Sequence, residues 1–369
     1  MSKPLMTTIP VRDAVGTVLC QDITRIEPGK SKGPVFRKGH VVRAEDIDIL
    51  LSVGKEHLYV YEPRAGLVHE NDAAERIVAA VGGKHLERTA PKEGRIDLKA
   101  ACDGLLRIDV PTLTAINSLG EITVATLHSL HFVNRGRAVA GMRVIPLLIE
   151  DAKLQAMERL VTGPVIEILP LKSARVGVVT TGSEVYSGRI QDAFGPVLKK
   201  KFAALGSTVM GQMLTNDEER MTAEAIRTFL AQGADMVVVT GGMSVDPDDR
   251  TPSAIRASGA DILSYGAPVY PGAMFLLAYA QGAAGRVPVL GLPGCVMYHK
   301  ASIFDVVVPR LLAGLELKAE DIIAFPAGHA VDPPPFDFSP SPAIDESKTD
   351  SGPVNFGFCK KIILPRGIL

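Results

Sequence analysis

The hydrophobic rhythm of the chain is most regular between residues 173 and 315. There, short β-branched runs alternate with stretches whose apolar residues return every three or four positions. Residues 175–180 read as a strand, and 195–205 as a helix with Pro196 in its first turn and Gly206 as its stop. Residues 207–214 read as a second strand. An Asn216-x-x-Glu219 capping pattern opens a helix over 216–232, which Gly233 closes. A strand at 236–240, a short helix at 252–258 and a strand at 287–290 follow. The last helix starts near Val296 and carries Met297, Ala301, Phe304 and Val308 on one face, with Pro309 expected to kink or end it. Such alternation predicts an α/β fold: a doubly wound, mostly parallel sheet covered on both faces.

The flanking regions follow other patterns. Residues 1–62 mix short strands with one helix at 46–53, stopped by Gly54, and a strand at 58–61, which describes a small β-rich module. Residues 63–172 predict an α+β middle domain, with helices at 71–81 and 151–162 and alternating runs at 121–125 and 142–149. Residues 316–369 form a Pro-rich tail. Its prolines at 333–335, 340 and 342 exclude a central strand, and a final strand is expected at 359–364.

Composition narrows the function classes. A formal charge of −1 over 369 residues argues against nucleic acid or an anionic membrane as partner. The block 273–280 is far too short to span a bilayer. The four cysteines, at 20, 102, 295 and 359, form no Cys-x-x-Cys pair, which suits a reducing compartment, and the first ten residues lack a signal-peptide core. The expectation is a cytoplasmic protein.

Three segments leave strand ends with unusual chemistry: Thr180-Thr-Gly-Ser-Glu184, Thr240-Gly-Gly-Met-Ser-Val-Asp-Pro-Asp-Asp249 and Leu290-Gly-Leu-Pro-Gly-Cys295. In open α/β sheets ligands bind beyond the carboxyl ends of the strands, where strand order reverses. Glycines there can adopt positive φ and bring bare backbone N–H groups to an anion. The candidate binding residues are Thr181, Gly182, Ser183, Glu184, Thr240, Gly241, Gly242, Ser244, Pro293 and Gly294. Asp246, Asp248 and Asp249 either serve a ligand or form a solvated turn before a helix. Cys295 reads as a structural thiol, because buried free cysteines are common. His128 and His131 fall in a strand-like run that points them to opposite faces.

These strings resemble the molybdopterin-binding domain of molybdenum-cofactor biosynthesis proteins. The resemblance covers 173–315 and extends to the molybdenum insertases, the molybdopterin adenylyltransferases and, more distantly, the competence-damage proteins. Residues 39–61 also resemble the insertase segment that precedes this domain. The resemblance implies molybdopterin or adenylated molybdopterin as ligand, with Mg²⁺ as an accompanying ion. It implies that Asp249 and Asp217 act catalytically, and that Asp249, Asp217 and Glu184 hold the metal. It also implies partnership with other molybdenum-cofactor proteins and a homo-oligomer. The chain departs from the insertases at Ser183, where they usually carry Asp, and at Cys295-Val296, where they carry Asn-Pro. The implied reaction is molybdate insertion or nucleotidyl transfer. Two alternatives remain open: a non-catalytic pterin carrier or sensor, and a nucleotide-pyrophosphate hydrolase of the competence-damage type.

Overall fold

The computed structural model describes residues 7–27, 31–60, 66–283 and 285–325. The expected tail strand at 359–364, the tail prolines and Tyr61 lie outside the described residues.

The α/β region is built on six strands: β1 (Arg175–Thr181), β2 (Thr208–Thr215), β3 (Met236–Thr240), β4 (Asp261–Tyr265), β5 (Leu276–Gly282) and β6 (Gly285–Leu292). They pair in the order β2-β1-β3-β6-β5-β4. The pairs among β2, β1, β3 and β6 are parallel, and β5 runs antiparallel to both β6 and β4. The helices are α1 (Ser183–Tyr186), α2 (Phe194–Ala204), α3 (Glu219–Ala231), α4 (Thr251–Ala257), α5 (Cys295–Tyr298), α6 (Ile303–Leu312) and α7 (Ala319–Ile323).

Every residue of β3 is buried, because both faces of the sheet are covered. Met236 and Val238 join one core with Leu198, Phe202 and Phe304, whereas Val237 and Val239 join another with Ile226, Phe229 and Ile255. Gly177 lets one covering helix sit close: a Cβ there would lie 2.4 Å from the Phe229 ring. Register then sets the functional end of the sheet. Thr180 aligns with Thr240, Thr181 with Thr215, and Thr240 with Leu292, so four strands finish on one rim. From β1 the chain first moves outward to β2, then crosses back over β1 to β3. The strand order therefore reverses between β1 and β3.

Several sequence expectations are corrected. The helix expected at 216–232 starts only at Glu219, because the Asn216 side chain accepts from the Glu218 N–H in a local turn rather than a capping box. The single helix expected from Val296 is two, α5 and α6. Ser302 and Asp305 form a capping box at the start of α6, and Pro309 sits inside that helix without ending it. The region 316–325, assigned to the tail, contributes Leu317, Ile322 and Phe325 to the α/β core. Strands β4 and β5 were not anticipated.

Upstream, Val11, Leu19, Ile23, Val42, Leu50 and Leu58 form a separate small core, around strands Thr7–Pro10 and His57–Val60 and the helix Asp46–Ser52. The middle region carries a four-stranded and a three-stranded sheet with helices Glu70–Val81, Val110–Ser118 and Asp151–Leu160 around a further core. Helix α6 reaches strand Gly104–Ile108 of that region.

Candidate functional site

At the strand-order reversal, the loops after β1 and β3 meet through two glycines. Gly241 has φ +86°, and a Cβ on it would lie 2.2 Å from the Thr181 carbonyl oxygen. Gly242 has φ +53°, and its Cβ would lie 2.9 Å from Thr251 Oγ1. Only a residue without a side chain allows this approach in this backbone region. The Thr251 hydroxyl donates to the Gly241 carbonyl at 2.7 Å, and the Thr251 N–H donates to the Gly242 carbonyl at 3.2 Å. Among the described residues, the N–H groups of Gly242 and Met243 make no hydrogen bond to protein.

The acidic residues hold this geometry. Asp249 Oδ2 accepts from the Ser244 N–H at 2.9 Å and from the Asp246 N–H at 3.3 Å. Asp217 Oδ2 accepts from the Ser183 N–H at 2.9 Å, while the Gly182 N–H donates to the Thr215 carbonyl at 3.1 Å. Asp246 accepts from the Asp248 N–H and belongs to the same exposed turn. The exposed Glu184 folds back over Gly182, whose Cβ would lie 3.1 Å from Glu184 Oε1. Among the described residues no three His, Cys, Asp or Glu side chains gather into a metal-binding group. Of the three carboxylates expected to hold a metal, Asp249 and Asp217 each engage Oδ2 in tying a loop, and Glu184 lies over Gly182.

The other predicted residues divide by depth. Thr181, Gly182, Thr240 and Pro293 are buried, while Ser183, Ser244 and Gly294 are exposed. The Thr240 hydroxyl donates to Thr180 Oγ1, which also accepts from Gln212 Nε2 at 2.9 Å. The third loop stands on the same rim by register. Gly294 faces Phe194 at the start of α2, with a would-be Cβ 4.0 Å from its ring. Met243 reaches across toward it: a Cβ on Gly291 would meet the Met243 sulfur at 2.7 Å.

Several residues here escaped the sequence reading. Arg250 and Thr251 line a narrow crevice with Thr181, Asp217 and Thr222. Tyr265 donates its hydroxyl to the Met243 carbonyl at 3.4 Å, and burial, with the nearby Asp249 carboxylate, pushes that phenol up. Gln212 Nε2 donates at 2.8 Å to Asp192, which caps α2 by accepting from the Phe194 and Gly195 N–H groups. Arg250 and Thr251 left a trace in the sequence, as part of Asp249-Arg-Thr-Pro252, whereas Tyr265, Gln212 and Asp192 left none. Cys295 is half-buried, and burial pushes its thiol up, away from nucleophilic character.

Residues 177–313 match the family described as a probable molybdopterin binding domain, and residues 8–62 match a domain of unknown function (DUF8806). A CinA-like protein of Mycobacterium avium is 35% identical over 92 residues, which is 25% of this chain and 21% of that protein. The chain thus matches about a fifth of the length of such curated relatives. The molybdopterin biosynthesis enzyme MoaB of Thermus thermophilus is 23% identical, with a TM-score of 0.31, over 39% of this chain and 99% of that one. The tungsten cofactor synthesizing protein MoaB of Pyrococcus furiosus is 21% identical, with a TM-score of 0.32, over 38% and 92%. No helix among the described residues is long and apolar enough to cross a membrane. The α/β domain of this chain belongs to the molybdopterin-binding domain family.

Proposed function

We propose that the rim formed by Thr181–Glu184, Thr240–Ser244 and Pro293–Gly294 binds the phosphate end of molybdopterin, or of its adenylated form, in molybdenum-cofactor biosynthesis. The observation that carries this is the paired glycine approach at Gly241 and Gly242, which leaves the Gly242 and Met243 N–H groups without a protein acceptor. Anions favour such bare backbone donors. Arg250 follows the acidic turn directly and lines the crevice beside Thr181 and Thr251, which Asp217, Glu218 and Glu219 also border. In this reading its guanidinium turns to the phosphate when the ligand binds.

Within this reading Asp217 and Asp249 are positioning residues. Each carboxylate accepts backbone N–H groups, and so fixes the loops that meet the ligand. That engagement favours binding and presentation of the pterin over metal-assisted transfer by these two acids. Mg²⁺ would have to be held chiefly by the ligand's own phosphates. The cytoplasm is the compartment, and a homo-oligomer the assembly, that this role suits.

Anaerobic calorimetry with molybdopterin tests the proposal. The wild-type chain binds stoichiometrically, and Asp249→Ala weakens binding by about tenfold or more, the loss expected when charge-assisted bonds that order a loop are removed. Wild-type affinity in Asp249→Ala would remove the positioning role, and no binding by the wild-type chain would remove the proposal. Turnover of ADP-ribose by the wild-type chain would instead favour the hydrolase reading.

A further inference from the structure

The rim loops occupy one end of the α/β domain; an unrelated cavity lies at the other. Helix α6 runs away from the rim, and the Lys172 N–H donates to the Leu312 carbonyl where the sheet begins. Beside the end of α6, between it and the middle domain, is a cavity of about 600 Å³, a volume in the range that holds small organic ligands. Val110 and Leu130 form its middle-domain wall, and Leu317 and Phe325 the opposite one.

Arg310 lines this cavity and is only 9% exposed. Its guanidinium face stacks on the Phe325 ring, 4.4 Å from the centroid. Stacking satisfies the face of the group but not its edge, and Nε is buried with no hydrogen-bond partner. Among the described residues Arg310 takes part in no ion pair within 4 Å. A buried cation left in that state is costly unless a ligand completes it. Burial pulls Arg310 down to about 10 despite the opposing influence of Asp321.

We propose that this interdomain cavity binds a small monocarboxylate with an apolar body, its carboxylate received by the two Nη groups of Arg310, because Nε itself lies beneath the surface. The planar fork of a guanidinium matches a carboxylate in a bidentate pair. Glu316 and Asp321 also line the cavity, and they oppose a multiply charged anion. The apolar walls receive the remainder of the ligand. A carboxylate here bridges α6 of the cofactor domain to the middle domain, so its binding couples the two regions.

The full-length chain labelled with ¹⁵N-arginine, titrated with 4-phenylbutyrate, provides the test. The Arg310 Nε–H resonance, assigned by its loss in Arg310→Lys, shifts saturably with the acid. The neutral 4-phenylbutyramide binds about tenfold more weakly or worse, because it cannot complete a charged bidentate pair. Val110→Trp, made at an exposed helix start on the cavity wall, blocks the shift while the circular dichroism stays unchanged. Three outcomes overturn the proposal: no shift at millimolar acid, an equal response to the amide, or a stronger response to inorganic phosphate.

Discussion

Gly241 shows how much the site owes to single positions. Its φ of +86° and the 2.2 Å approach of a would-be Cβ to the Thr181 carbonyl leave no room for a side chain. Gly241→Ala is expected to cost about 1–3 kcal/mol in backbone strain, read as a lower urea midpoint, and to abolish pterin binding at temperatures where the variant is still folded. Retained binding with unchanged stability would contradict the glycine cradle. At this scale the sequence revealed residue types but not their partners. The double glycine and the acidic cluster were legible as a loop with chemistry. That Asp249 and Asp217 turn their oxygens toward the Ser244 and Ser183 N–H groups was not, since a carboxylate's acceptor state depends on loop closure. Tyr265 was invisible for the same reason, lying on an edge strand that the pattern did not announce.

Elements were read best where burial made the pattern unambiguous. Strands β1 and β3 were found to within a residue, because a β-branched run buried on both faces has few other readings. β5 was seen only as an apolar block, and β4 not at all, because Gly266, Pro268 and Pro271 interrupt the pattern between them. The packing of α3 on the sheet gives an element-scale test. Gly177→Ala pushes a methyl into Phe229 and is expected to destabilise the chain by about 1–3 kcal/mol, as overpacked cores do, measured by urea unfolding. A second test concerns helices Glu70–Val81 and Asp151–Leu160, joined by Arg76 to both Asp151 and Glu158. Hydrogen bonds to Arg76 hold both carboxyls below their usual range. A depressed folded-state pKa stabilises above the unfolded value and is lost as pH falls through the folded one. The wild-type middle region therefore loses stability below about pH 4, taken from ordinary carboxylate values. Arg76→Met flattens that dependence in acid titrations followed by circular dichroism, and an unaltered profile would refute the link.

Across the whole molecule, the α/β domain presents two ends with different chemistry. The rim of β2, β1, β3 and β6 gathers glycine turns from segments as far apart as Gly182 and Gly294, and strand register alone brings them together. The opposite end meets the middle domain around Arg310. The sequence anticipated the first end, because strand-end loops follow from the order of elements, but not the second, since nothing local marks a contact between distant regions. Anaerobic hydrogen–deuterium exchange of the full chain, with and without molybdopterin, tests the central claim most directly. The account predicts slower exchange confined to peptides covering 181–187, 240–251 and 292–297, strongest at the Gly242 and Met243 amides. Unchanged exchange in those peptides, with protection elsewhere, would contradict it.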